Sequence, residues 1–219
     1  MRLILTVFLA LLILVLGGVA VHAIVPPPTT LLMVSRAFDS GLDYRWRSLD
    51  DISPRLVEAA IASEDARFCA HRGFDFEAIR KALKANARGR RVRGGSTISQ
   101  QTAKNVFLWP GRDWIRKGLE TGYTPLIETL WGKRRIMEVY LNVAEFAPGV
   151  YGAEAASRRW FGKSASDLTA REAARLAAVL PAPRRYKAAQ PGPYVRRRAA
   201  AVQRAMATVR NEGLASCVL

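Results

Sequence analysis

Residues Leu3–Val21 form a 19-residue apolar run interrupted only by Thr6, Gly17 and Gly18, with no charge inside it. A helix of that length spans about 30 Å, the thickness of a bilayer core. Pro26-Pro27-Pro28 ends it and opens an extended linker, because proline lacks the amide donor and fixes φ. Beyond the linker the apolar spacing turns helical. Ser53-Pro54 supplies an N-cap and a first-turn proline for a helix with Leu56, Val57, Ala60 and Ile61 on one stripe, running to about Glu64. Asp75 caps a second helix, with Phe76, Ile79 and Leu83 on one face and an end at Gly89. Arg90 to Gly95, charge followed by two glycines, reads as mobile; Ser96 or Thr97 then caps a third helix through Lys104. Trp114 to about Leu130 and Lys133 to Leu141 give two more. Thr169 and Glu172 form a capping box for an alanine- and leucine-rich helix that stops at Pro181. A last helix runs from about Pro193 to Arg210, with Val195, Val202, Met206 and Val209 inward. Alternation never extends beyond four or five residues, so the class is mainly α.

Charge adds orientation and a preference in partners. Arg2 is the only charge before Arg36, which puts the N-terminus in the cytoplasm by the positive-inside rule. Val21-His22-Ala23 offers a signal-peptidase site, but the apolar core is longer than a cleaved signal's, which favours a retained anchor. Lys+Arg 34 against Asp+Glu 18 gives +16, so the chain should seek a polyanion, an anionic membrane or a phosphate-bearing substrate. Two cysteines exclude a disulfide-rich scaffold and a four-cysteine zinc site. Cys217, close to the C-terminus, is expected to fray and Cys69 to fill a small apolar gap, leaving the two unbridged.

The chain lacks GxGxxG, a Walker loop, CxxC, HExxH, GxSxG and SxxK. Chemistry therefore rests on carboxylates, basic residues and His71. Glu64-Asp65 stands at a helix C-terminus, where the dipole disfavours acids, so the pair implies either a cation partner or a carboxylate kept for use. The bland alternative is a turn cap at Asp65 and a surface pair between Glu64 and Arg67. A second stretch, Gly94 to Asn105, joins a glycine hinge to hydroxyl and amide side chains at a helix start, a setting that suits an anion. From Lys84 to Lys117 there are nine Lys or Arg and one acid, Asp113, interleaved with Val106, Phe107, Leu108, Trp109 and Trp114. A solvated helix face over ordinary core aromatics would look the same by composition.

These two stretches resemble the EDxxFxxHxGFD and GGSTISQQxxKN signatures of glycosyltransferase family 51, the peptidoglycan glycosyltransferases. Arg116-Lys117-x-x-Glu120, the KRRIMEVYLN segment from Lys133, Gly152 to Lys163, and Glu172 to Pro183 resemble the family's later motifs in order, so the likeness covers about Leu56 to Tyr186. Trp160, where tyrosine is usual, and Ala147, often glycine, are the departures. With no SxxK after the last motif, the resemblance is to the stand-alone monofunctional form rather than the bifunctional penicillin-binding proteins.

The resemblance implies a lysozyme-like bilobed domain behind one transmembrane helix. Expected boundaries are 1–25 for a cytoplasmic N-terminus and anchor, 26–50 for a juxtamembrane linker, 51–190 for the catalytic domain and 191–219 for a basic helix and tail packed on it. It implies polymerisation of lipid II into β-1,4-linked glycan with inversion and loss of undecaprenyl diphosphate. Glu64 would be the general base and Glu120 the second catalytic glutamate. Lys104 and Arg112 would hold the donor pyrophosphate, with Arg116 and Lys117 adding to the field. Ser96, Thr97, Gln100 and Gln101 would line the donor cleft, with Asn105 holding the loop. Asp65, Phe68, His71, Gly73, Gly94 and Gly95 complete the motifs. No cofactor is required by this reading, although Mg or Mn stimulates some members. Partners would be lipid II, the nascent glycan, an anionic membrane surface and other cell-wall synthases, with no nucleic acid, at the inner membrane with the domain in the periplasm. Phe107, Leu108, Trp109 and Trp114 would dip into the membrane interface. The eight basic residues from Arg184 to Arg210, Arg196, Arg197 and Arg198 among them, would face headgroups or form a solvated outer helix face.

Two rivals use the same residues differently. A lytic, lysozyme-like hydrolase needs one acid but has no use for the cations around Lys104 and Arg112. A membrane-tethered polyanion binder exploits the charge but leaves Glu64-Asp65 unexplained.

Overall fold

The computed structural model describes residues 2–87, 95–111 and 113–219. The apolar run folds as α1 (Arg2–Ile24), with a mean hydropathy of 3.0 and almost no burial, as a helix facing lipid requires. Its C-terminal end is gripped by the rest of the chain. Trp131 Nε1 donates to the Val19 carbonyl at 2.7 Å, and Arg135 donates twice to the His22 carbonyl at 3.1 Å. The His22 carbonyl is one of the four that a helix end leaves without an internal partner.

The stretch 26–50, expected to be linker, instead carries structure. Thr30 caps α2 (Leu31–Ser40) by accepting from Met33 N, and Leu32 and Met33 are buried. Strand β1 (Asp43–Tyr44) then pairs in parallel with β3 (Val150–Tyr151), which pairs antiparallel with β2 (Glu145–Ala147), giving the order β1-β3-β2. Gly149, at φ +71°, lets the β2–β3 turn pass against the Ser40 carbonyl where any Cβ would collide.

Seven helices follow the expected spacing and an eighth, α8, was not expected: α3 (Pro54–Glu64), α4 (Phe76–Ala87), α5 (Ile98–Phe107), α6 (Trp114–Leu130), α7 (Gly132–Val143), α8 (Ala153–Phe161), α9 (Ala170–Val179) and α10 (Pro193–Asn211). Capping boxes start α5 at Thr97–Gln100 and α9 at Thr169–Glu172. Helices α3, α9 and α10 pack together, with Val195, Val202, Met206 and Val209 inward. Helix α5 packs on α6 and α7, and one hydrophobic core joins both groups through Ile61, Phe68, Ile98 and Tyr140.

Two expectations fail, and the shared face of α4, on which no burial was called, is largely open, with Phe76 74% and Leu83 65% exposed. Periodicity shows that these side chains share a face, not what covers it. Leu108 is buried and Phe107 stacks on Tyr123 with centroids 4.5 Å apart, so both are packing residues, whereas Trp109 and Trp114 are exposed. The C-terminal tail does not fray. Ala215 and Val218 are buried, Arg134 Nη1 donates to the Val218 carbonyl at 2.7 Å, and Cys217 is disulfide-bonded to Cys69. Docking of the tail places the two Cα atoms 5.6 Å apart, within bridging distance. The stretch expected to be mobile, Arg90 to Gly95, and the helix end at Gly89 lie, apart from Gly95, outside the described residues.

Candidate active site

Helix α3 ends on Glu64, and Asp65 leaves helical backbone at φ −159°. The turn sends the two carboxylates to different tasks. Asp65 accepts from Ile98 N at 3.0 Å, the first amide of α5, where the helix dipole favours an anion. It also accepts from His71 Nε2 at 2.9 and 3.1 Å, which puts the imidazole proton on Nε2. His71 Nδ1 is buried without a partner among the described residues. Thr97 Oγ1 donates to the Gly73 carbonyl at 2.6 Å. Gly73 itself, at φ +87°, lies so near α6 that a Cβ would be 2.6 Å from Thr124 Cγ2. Phe68 is fully buried beneath His71 and Lys133, whose Nζ is 4.4 Å from its ring centre. Asp65, Phe68, His71, Gly73, Thr97 and Gln100 are therefore scaffold that fixes the end of α3 against the start of α5.

Glu64 faces a different set of partners. Its side chain is 14% exposed. Oε2 accepts from Gln101 Nε2 at 3.2 Å, and Oε1 accepts from Arg198 Nη2 at 3.3 Å. Burial holds its pKa above the ordinary glutamate value of 4.5, although the Gln101 hydrogen bond and the Arg198 charge oppose that rise. The surface pair with Arg67 does not form: Arg67 bonds Glu77 and lies 3.7 Å from Asp75.

The second carboxylate has the opposite surroundings. Glu120 is 3% exposed on α6, accepts from Arg116 Nη1 at 3.3 Å and is ion-paired with Lys117. Asp113 caps this helix by accepting from Arg116 N at 2.7 Å. Lys104 on α5 stands in the same field. Burial lowers its pKa below 10.5; Glu120 works against that, and the charges of Arg116, Arg36 and Lys117 work with it. Arg116 Nε is buried without a partner among the described residues. Asn105 is buried, Ser96 and Gly95 are exposed, and Gly94 and Arg112 lie outside the described residues.

Two residues escaped the sequence reading. Arg198, assigned there to a headgroup-facing cluster, turns inward to Glu64. The signal was present, since positions 195, 198 and 202 share the buried stripe of α10. Arg210 stays exposed but is bonded twice to Glu58 at 2.8 and 2.6 Å. Arg36 on α2 pairs with Glu145 and contributes to the field at Lys104; its segment matched no motif. Surface cavities of about 530 and 430 Å³ lie along α9 and α10, and neither carboxylate lines them.

One buried carboxylate is thus held by a neutral and a cationic donor, and another sits inside a cluster of cations. A family model described as Transglycosylase matches residues 33–207. A biosynthetic peptidoglycan transglycosylase of Caulobacter vibrioides is 56% identical over 222 residues, spanning 99% of this chain and 97% of the relative. Proteins of the same name from Rhodospirillum centenum and Pseudomonas aeruginosa are 58% and 54% identical, covering 89% and 86% of this chain and 85% and 84% of their own length. The chain belongs to the transglycosylase family, with its lysozyme-like, mainly α domain behind a single apolar helix.

Proposed function

We propose that this enzyme polymerises lipid II into β-1,4-linked glycan for cell-wall synthesis, with Glu64 as general base and the Lys104–Arg116–Lys117 cluster as the leaving-group site. Glu64 takes the proton from the acceptor 4-hydroxyl. The freed oxygen attacks C1 of the donor sugar from the face opposite the pyrophosphate. The C1–O bond breaks with its electrons leaving on the undecaprenyl diphosphate, and the α-linked donor becomes a β-glycoside. A departing pyrophosphate calls for cations rather than a proton, and the charges of Arg116 and Lys117 gather around Lys104. Glu120 keeps Arg116 and Lys117 in place between turnovers. Arg112 adds to this site by its position in the motif.

The observation that carries the reading is the difference in surroundings between the two glutamates, Glu64 beside one guanidinium and Glu120 among several cations. A hydrolase acting on a neutral glycosidic bond has no use for the second arrangement. A divalent cation, Mg or Mn, would act by bridging pyrophosphate and a carboxylate, and no cofactor is needed for the steps above. With α1 spanning the inner membrane and its N-terminus cytoplasmic, the domain works at the periplasmic face, where the lipid-linked substrates lie. Exposed Trp114, Ile115 and Phe76, with Arg196 and Arg197, suit contact with that surface. Association with other cell-wall synthases is compatible with this site.

Substrate choice tests the reading. Purified enzyme is given labelled lipid II or intact sacculi. Consumption of lipid II with growth of glycan supports the proposal; solubilised sacculi with lipid II untouched would replace it with the lytic reading.

A further inference from the structure

We infer that Arg198 is a positioning residue for the general base, holding the Glu64 carboxylate in its working orientation, and that the Cys69–Cys217 disulfide keeps it there. The inference rests on Glu64 being the base, as proposed above.

The sequence poses the question. An acidic pair ends α3, where the helix dipole is already negative. Arg198 is the cation that answers it. Its Nη2 donates to Glu64 Oε1 at 3.3 Å and to the Ser63 carbonyl at 3.4 Å, one of the terminal carbonyls of α3. One guanidinium thus caps the helix and binds its last side chain. The terminal torsion of a glutamate is broad and two-fold, so a carboxylate held at one oxygen still swings. Gln101 holds Oε2 from α5, and Arg198 holds Oε1 from α10, which defines the plane.

Arg198 is carried by a helix that packs closely on α3 and α9. Beyond that helix the chain returns to the catalytic segment. Cys217 is bonded to Cys69, five positions after Glu64. Glu64, Cys69, Cys217 and Arg198 therefore close a ring, covalent except at the ion pair. The tail that bears Cys217 is fixed to α7 as well, through Arg134 and the Val218 carbonyl.

The other groups facing Glu64 do not supply this function. Asp65, on the same turn, adds negative charge and is occupied by His71 and Ile98 N. The Tyr140 hydroxyl of α7, near both carboxylates, is buried without a partner among the described residues. Arg198 is the one cation with a hydrogen bond to Glu64 among the described residues. A role in substrate binding would raise KM on its loss, whereas positioning acts on kcat and on the acidic limb of the pH profile.

The test uses full-length, detergent-solubilised enzyme with labelled lipid II, and compares wild type, R198K, R198Q, the double variant C69S/C217S and E64Q across pH. The inference predicts that R198Q lowers kcat about tenfold at neutral pH, moves the acidic limb up by about one pH unit and leaves KM within about twofold. R198K restores most of the rate, because an ammonium still reaches the carboxylate. C69S/C217S shifts the limb in the same direction by less. A limb in R198Q that superimposes on wild type, or a loss confined to KM, overturns the inference. If neither Arg198 variant folds, the limb of C69S/C217S decides, and an unmoved limb overturns it. Full activity in E64Q removes the general-base reading itself; an inactive E64Q beside an unchanged R198Q profile removes only the role of Arg198.

Discussion

Gln101 and Lys104 stand one turn apart on the same face of α5, and each attends a different carboxylate. Gln101 donates to Glu64 at 3.2 Å, while Lys104 lies in the field of Glu120. Three residues of helix advance only about 4.5 Å, so one rigid element sets the two carboxylate environments side by side.

Burial raises the pKa of Glu64, so the acidic limb of kcat/KM should lie above 4.5. Gln101→Ala removes a hydrogen bond that favours the ionised form and should move that limb higher, with roughly a tenfold loss of rate on its acidic side for each unit moved. Stability has its own sign. Between 4.5 and the raised value the folded protein keeps a proton that the unfolded chain has lost, so the Glu64 contribution falls as pH rises through that window. In Glu64→Gln this component of the pH–stability curve disappears, which thermal unfolding across pH reads directly.

Lys104 must be charged to meet a pyrophosphate, and burial lowers its pKa from 10.5. The basic limb should therefore lie below 10.5, and Lys104→Arg should move it up or abolish it, since guanidinium stays charged. Lys104→Met should cost on the order of 10²–10³ in kcat/KM, by comparison with deletion of an oxyanion-stabilising donor. Steady-state kinetics on lipid II give both.

The disulfide spans a separation of 148 residues. Closing so long a loop constrains the unfolded chain, and Cys217→Ser should cost about 2–5 kcal/mol of stability. Unfolding of wild type under reducing conditions should match the variant, and unfolding under oxidising conditions should not.

Cleavage after Ala23 would remove the Val19 and His22 carbonyls that Trp131 and Arg135 hold. The mature protein should therefore keep residues Arg2–Ile24, which the intact mass of the membrane-extracted protein reports. Trp131→Phe, which loses one buried hydrogen bond, should lower stability by about 1 kcal/mol.

Most helices were legible because their caps and apolar spacing are local: Thr169–Glu172, Asp75 and the stripe Val195–Val202–Met206 needed no knowledge of the fold. Glu64, Glu120 and Lys104 were singled out by resemblance to the family's motifs, each of which is a short contiguous stretch. What escaped was long-range. Arg198 reaches Glu64 across 134 positions, and Cys217 meets Cys69 only because Ala215 and Val218 find a place in the core. Basic composition suggested a solvent face for Arg198, while its place on the buried stripe pointed inward, and the helical spacing gave the better answer. On α4 the spacing gave the shared face and not its cover, since an amphipathic pattern records only the possibility of burial and Phe76 stays exposed.

The most direct measurement is polymerisation of labelled lipid II by full-length wild type and by Glu64→Gln, with equal folding checked by thermal unfolding. The account predicts long glycan chains from wild type and none from the variant. Chains made by Glu64→Gln at the wild-type rate would contradict it, because the carboxylate proposed to take the acceptor proton would then be dispensable.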